Sequence, residues 1–123
     1  MKKPKILLVD DDHAVLEYFE AKLGKRYELV VTHAAEEVLK LARRHAPQVI
    51  VCDIDMPKMD GGELSSALFA DEELRDIPVL FLTALATPAQ LEQLSGQLGG
   101  RPAVSKSEPV ARLVARIEAL LPH

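Results

Sequence analysis

Residues 6–12 read Ile6-Leu7-Leu8-Val9-Asp10-Asp11-Asp12, four consecutive branched apolar side chains that stop at three carboxylates. A strand with one wet face alternates apolar and polar residues, whereas a parallel strand covered on both faces is apolar throughout. This run therefore predicts a fully buried strand whose carboxyl end delivers acids to the surface. Runs of the same kind recur at 29–31, 49–52 and 79–82, with a weaker one at Ala103 and Val104.

Between the runs the apolar spacing changes to three and four, the period of a helix with one buried face. It is carried by Val15, Leu16, Phe19 and Leu23; by Val38, Leu41 and Ala42; by Leu64, Ala67 and Leu68; and by Leu91, Leu94 and Leu98. The clearest case is the last, with Val110, Leu113, Val114, Ile117, Leu120 and Leu121 on one face and Arg112, Arg116 and Glu118 on the other. Asp12 reads as the N-cap of the first helix and Ser107 as that of the fifth, with Pro109 in its first turn. Thr87-Pro88-Ala89-Gln90 is a capping box with proline at the first helical position, opening the fourth. Gly24, Gly61, Gly62, Gly99 and Gly100 punctuate the joins. The alternation predicts one α/β domain over residues 1–123, a (βα)5 doubly wound parallel sheet with right-handed crossovers.

Composition narrows the function. A chain of 123 residues, 48% hydrophobic, builds one core and leaves no room for an output domain. A net charge of -4 offers no broad cationic face for nucleic acid. Met1, Lys2 and Lys3 resemble the start of a signal peptide, but the apolar run that follows ends at Val9. No stretch approaches the ~20 apolar residues needed to cross a bilayer, and the single Cys52 cannot form an internal disulfide, which fits a reducing cytoplasm. Cys52, in an apolar strand, reads as a buried inert thiol. His13, His33 and His45 are scattered without metal-site spacing and read as surface histidines.

In open α/β sheets ligands bind beyond the carboxyl ends of the strands. There the first strand presents Asp10, Asp11 and Asp12, the third Asp53, the fourth Thr83 and the fifth Lys106. Crowded carboxylates repel one another, and a hard divalent cation compensates them. Oxygen ligands that are few and open to solvent favour Mg²⁺ with retained waters, with Mn²⁺ able to substitute. A metal, a carboxylate placed as nucleophile (Asp53), a hydroxyl and a lysine together meet the demands of phosphoryl transfer.

From Ile6 to Leu121 these residues resemble the receiver domain of bacterial two-component response regulators. The carriers are residues 6–12 as quoted, Asp-Ile-Asp-Met-Pro-Lys-Met-Asp-Gly at 53–61, Leu-Thr-Ala at 82–84, and Lys106. The resemblance implies a flavodoxin-like sheet of strand order 2-1-3-4-5. It also implies Asp53 as phosphoacceptor and Mg²⁺ held by Asp10, Asp11, Asp53 and the backbone carbonyl of Asp55. Thr83 would hydrogen-bond a phosphoryl oxygen and Lys106 would pair with it as a point charge. Met56, Pro57, Asp60 and Gly61 would form the turn after the phosphorylation site. Asp55 could instead direct its own carboxylate at the metal or at the attacking water. The implied partners are a sensor histidine kinase or histidine phosphotransfer protein upstream and an effector protein or output domain downstream. The implied role is that of a phosphoacceptor, not of an enzyme beyond self-catalysed phosphorylation and dephosphorylation. The last helix offers charged and small residues and no apolar patch, so homodimerisation is left open.

Two positions depart from the family. Ala103 stands where the family commonly has Tyr or Phe, so the usual rotating aromatic is absent and any output signal must travel through backbone and loop shifts. Ser107 replaces a proline whose preceding bond is cis in the family; a trans Lys106–Ser107 bond would put the reach of Lys106 in question. Both departures favour the competing reading, a docking module that no longer uses phosphorylation, while the retained cluster of repelling carboxylates opposes it. Asp53-Ile54-Asp55 also resembles the Asp-x-Asp motif of haloacid-dehalogenase-type phosphatases, but that family needs a larger core and further acidic motifs downstream.

Overall fold

The chain runs β1 (Lys5–Val9), α1 (His13–Leu23), β2 (Glu28–Thr32), a 3-10 turn (Ala35–Glu37), α2 (Val38–His45), β3 (Val49–Asp53), α3 (Gly61–Ala70), β4 (Val79–Thr83), α4 (Pro88–Gln93), β5 (Gln97–Leu98), β6 (Arg101–Ser105) and α5 (Val110–Leu120). This is a computed structural model, and it describes residues 3–56, 61–98 and 100–121. The sheet order is β2-β1-β3-β4-β6-β5. Its first five members are parallel, so the expected 2-1-3-4-5 order holds, with β6 in the fifth place.

The uninterrupted apolar runs follow from two-sided burial. Ile6 and Leu8 of β1, Val49 and Val51 of β3, and Leu80 and Leu82 of β4 face a core made with α1 and α5, through Leu16, Phe19, Leu113 and Ile117. Their neighbours Leu7, Val9, Ile50, Cys52, Val79 and Phe81 face a second core under α2, α3 and α4, through Val38, Ala42, Leu64, Leu68 and Leu91. Each such side chain stabilises the fold by about 1.5–3 kcal/mol when fully buried, so both faces of each strand have to be apolar.

Two expectations about local structure are corrected. The fourth helix does not reach Leu98: α4 stops at Gln93, Leu94 is 53% exposed, and Leu98 lies in β5, antiparallel to β6. The reason is backbone handedness. Ser95 and Gly96 turn to φ 60° and 69°, which ends the helix, and Gly100 at φ 79° supports the tight turn into β6. Ser107 is not the N-cap of α5; Pro109 holds that position without a side-chain cap. The Ser107 hydroxyl instead lies 2.8 Å from that of Ser105, and its N–H donates to the same oxygen at 3.2 Å. The polar face of α5 is also more engaged than expected. The Tyr27 hydroxyl donates to Glu118 at 2.6 Å, and Arg116 donates to the Gly96 carbonyl at 3.3 Å.

Candidate functional site

Among the described residues the buried polar side chains are Asp10, Thr32, Asp53, Thr83 and Ser105. Each sits at the carboxyl end of one of the five parallel strands. Asp10 and Asp53 come from β1 and β3, the neighbouring strands at which the sheet reverses its winding direction, and such a reversal opens a crevice at this edge. Main-chain bonds continue the ladder to the rim. Asp10 N donates to Thr32 O at 3.2 Å, Ile54 N to Leu82 O at 3.0 Å, and Lys106 N to Thr83 O at 2.8 Å. The candidate side chains are thus mounted on the rigid part of the fold.

The carboxylate oxygens of Asp10, Asp11 and Asp53 lie within 4.8 Å of one another. Asp10 is 0% exposed and Asp53 2%, while Asp11 faces solvent. Lys106 reaches into this cluster, with its ammonium 2.8 Å from Asp10 and 3.2 Å from Asp53. No peptide bond among the described residues is cis, so Lys106 makes both contacts across a trans bond to Ser107. Burial pushes the Asp53 carboxyl above its usual range, and the charge of Asp10 adds to this; the Asp55 N–H and Lys106 work in the opposite direction. Burial alone would lower Lys106, but its bonds to Asp10 and Asp53 hold the ammonium above its ordinary value. Three carboxylates against one ammonium leave an excess of negative charge in a partly desolvated crevice. That donor set, all hard oxygen and open on the Asp11 side, fits a Mg²⁺ ion that keeps several waters.

The connection after β1 also follows the expectation. Asp12 caps α1, accepting from Ala14 N at 2.9 Å and Val15 N at 3.4 Å, so it is committed to the helix and absent from the carboxylate cluster. The backbone N–H of Asp12 donates to Asp10 Oδ1 at 2.9 Å, fixing the orientation of the buried acid.

Asp55 behaves differently from either expectation for its side chain. Its N–H donates to Asp53 Oδ1 at 2.9 Å, orienting the candidate phosphoacceptor. Its carboxylate turns toward β4, where it accepts the Thr83 hydroxyl at 3.1 and 3.2 Å and the Ala84 N–H at 2.6 Å. That carboxylate is thereby engaged with β4 and is not part of the Asp10–Asp11–Asp53 group. Thr83 is consequently held by Asp55, and its oxygen also accepts from Leu85 N at 3.0 Å. Sequence reasoning placed Thr83 and Asp55 on the same rim but had no signal for their pairing, which depends on how β3 and β4 are registered.

Met56 is buried, and Pro57 and Asp60 of the expected turn lie outside the described residues. Cys52 is fully buried, and its thiol is pushed up to about 12, first by burial and then by the charges of Asp53 and Asp10. Ala103 is buried in β6 at the base of a groove of about 410 Å³ between α4 and α5, which Leu91, Arg112 and Arg116 also line. The histidines are not all scattered. His13 and His33, both exposed, meet edge to face with ring centroids 4.8 Å apart.

Residues 6–118 match the response regulator receiver domain family. Over 117 residues the chain is 34% identical to the polar-differentiation response regulator DivK of Brucella ovis, covering 94% of both proteins. Among solved structures it resembles the chemotaxis protein CheY4 of Vibrio cholerae, with a TM-score of 0.80 at 25% identity over 97% of this chain and 99% of that one. It also resembles the beryllofluoride-activated receiver domain of RstA from Klebsiella pneumoniae, with a TM-score of 0.78 at 29% identity over 97% of this chain and 99% of that one. The chain belongs to the receiver domain family of two-component response regulators. Members of this family are phosphoacceptor signalling domains, distinct from conventional enzymes, and they work between histidine kinases and downstream effectors.

Proposed function

We propose that this chain accepts a phosphoryl group on Asp53 from a histidine kinase or histidine phosphotransfer protein and passes the signal to an effector through the face formed by α4, β6 and α5. The observation that carries this is the buried Asp53 carboxylate, held 3.2 Å from the Lys106 ammonium beside Asp10 and Asp11. A carboxylate oxygen of Asp53 attacks phosphorus, the bond from phosphorus to the donor imidazole nitrogen breaks, and the product is an aspartyl phosphate. Mg²⁺, held by Asp10, Asp11, Asp53 and the Asp55 carbonyl, would neutralise charge on the phosphoryl oxygens. Lys106 stands ready to pair with one of those oxygens, at the expense of its present bond to Asp53. Thr83 can reach another only by exchanging its Asp55 partner for the phosphoryl group, which would pull the start of the β4–α4 connection with it.

With Ala103 in place of the family's aromatic, the output on this reading travels through that connection and the groove between α4 and α5. The same groove, lined by Ala103 where the family has an aromatic, supports a second reading, a docking module independent of phosphorylation. The likeness to a beryllofluoride-activated receiver favours the first. Phosphoryl transfer from a histidine kinase would take place in the cytoplasm, and that is the location this reading implies; among the described residues no helix is long and apolar enough to cross a membrane.

The deciding experiment incubates the protein with Mg²⁺ and acetyl phosphate and records intact mass beside an Asp53→Asn control. A gain of one phosphoryl group in the wild type alone is the expected result. No adduct, together with no beryllofluoride binding, would overturn the assignment and leave the docking reading.

A further inference from the structure

His13 and His33 lie outside the acidic cluster, and the phosphoacceptor chemistry leaves them unused. His13 opens α1 and His33 follows β2, so the pairing of β1 with β2 brings together residues that are distant in sequence. Their ring centroids are 4.8 Å apart with an interplanar angle of 70°. Each has a glutamate four positions on, Glu17 along α1 and Glu37 at the end of the 3-10 turn. All four side chains line one cleft of about 330 Å³. Glu37 Oε2 lies 3.5 Å from the Thr32 hydroxyl, which keeps that carboxylate beside the cleft.

An edge-to-face ring contact by itself would need neither glutamate. Imidazole nitrogens with carboxylate oxygens suit Zn²⁺, Ni²⁺ or Cu²⁺ better than Mg²⁺. With nitrogen–zinc bonds of about 2.0–2.1 Å, a tetrahedral centre holds two imidazole centroids roughly 5 Å apart. The ring separation found here is within a few tenths of an ångström of that. Among the described residues the acidic cluster is the one group whose three ligand atoms already lie within 4.8 Å, so Glu17 and Glu37 must swing inward to complete the second centre. Both are exposed side chains on the rim of the cleft, with rotatable bonds that let the carboxylates move.

We propose that His13, His33, Glu17 and Glu37 form a second metal site for a borderline transition-metal ion of the Zn²⁺ class, separate from the Asp10–Asp11–Asp53 cluster. A bound ion would tie the start of α1 to the β2–α2 connection, and its binding does not depend on the phosphoacceptor assignment.

The test is calorimetric titration of ZnCl2 into the tag-free protein in excess MgCl2, alongside His13→Ala, His33→Ala and a doubly substituted Asp11→Asn, Asp53→Asn protein, each checked for folding by far-ultraviolet circular dichroism. Co²⁺ loading adds a visible spectrum that reports tetrahedral ligation. One equivalent of Zn²⁺ should bind the wild type and the acidic-cluster variant alike, and each histidine variant should lose at least about tenfold in affinity, the smallest effect expected when a metal site is disturbed. Binding that survives both histidine substitutions, that disappears with the acidic cluster, or that is absent from the wild type would overturn the proposal.

Discussion

Replacing Asp55 with alanine removes the carboxylate that holds the Thr83 hydroxyl at 3.1 and 3.2 Å and the Ala84 N–H at 2.6 Å. A phosphoryl group on Asp53 that recruits Thr83 has to displace this carboxylate first. A hydrogen bond to a charged acceptor contributes about 1.5–3 kcal/mol net, and because Asp55 is half-buried the lower end applies. Losing one such bond costs about 1.5 kcal/mol, close to a factor of ten in an equilibrium constant. Asp55→Ala should therefore bind beryllofluoride in Mg²⁺ about tenfold more tightly than the wild type, read by ¹⁹F NMR or calorimetry. The backbone carbonyl and N–H of residue 55 are unchanged by the substitution. Removing a negative charge near the acidic cluster acts in the same direction, and Asp55→Asn separates the two effects. Its amide oxygen can still accept from Thr83 and Ala84 although the charge is gone, so its affinity should fall between the other two. Equal or weaker binding by Asp55→Ala would refute the idea that Asp55 competes for Thr83. Asn and Ala behaving identically would assign the gain to charge alone.

Lys106→Met strips the ammonium from two buried carboxylates and should destabilise the metal-free protein by about 3 kcal/mol, the low end for breaking a buried pair, because Lys106 keeps 18% of its side chain exposed. Thermal melts should show a lowered Tm that Mg²⁺ largely restores, and an unchanged Tm in metal-free buffer would contradict the charge balance described above. Cys52, with its thiol raised to about 12, should resist iodoacetamide in the folded chain at mildly alkaline pH and react only as fast as the protein unfolds. Because the folded value lies above the unfolded one, the stability linked to this thiol is fully present below about pH 8.5 and is lost as pH climbs toward the folded value. Rapid labelling without loss of structure, followed by intact mass, would show that Cys52 is not buried as found.

The strand ends were legible in the sequence because a doubly covered strand must be apolar until it leaves the sheet. The first polar residue after each run therefore marks the rim, and this local rule placed Asp10, Asp53 and Thr83 at one edge, with Lys106 one residue beyond Ser105, the first polar residue after Val104. Helix caps were legible where one short segment contains both partners, as at Asp12 and in the Thr87–Gln90 capping box. The same reasoning failed at Leu98 and Ser107. An apolar spacing of three and four does not reveal that Ser95 and Gly96 will turn left-handed, nor that the Ser105 hydroxyl will capture Ser107.

Composition, periodicity and the residue type at each strand end were thus sufficient by themselves for the α/β class, the parallel sheet and the acidic rim, because burial of both faces of a strand is a local constraint. Partnerships between rim residues were decided only by the tertiary structure. Asp55 pairs with Thr83 because β3 lies beside β4, His13 meets His33 because β1 lies beside β2, and Lys106 spans from β6 to Asp10 across the intervening strand ends. These contacts join residues far apart along the chain, and which of them form depends on strand order and register.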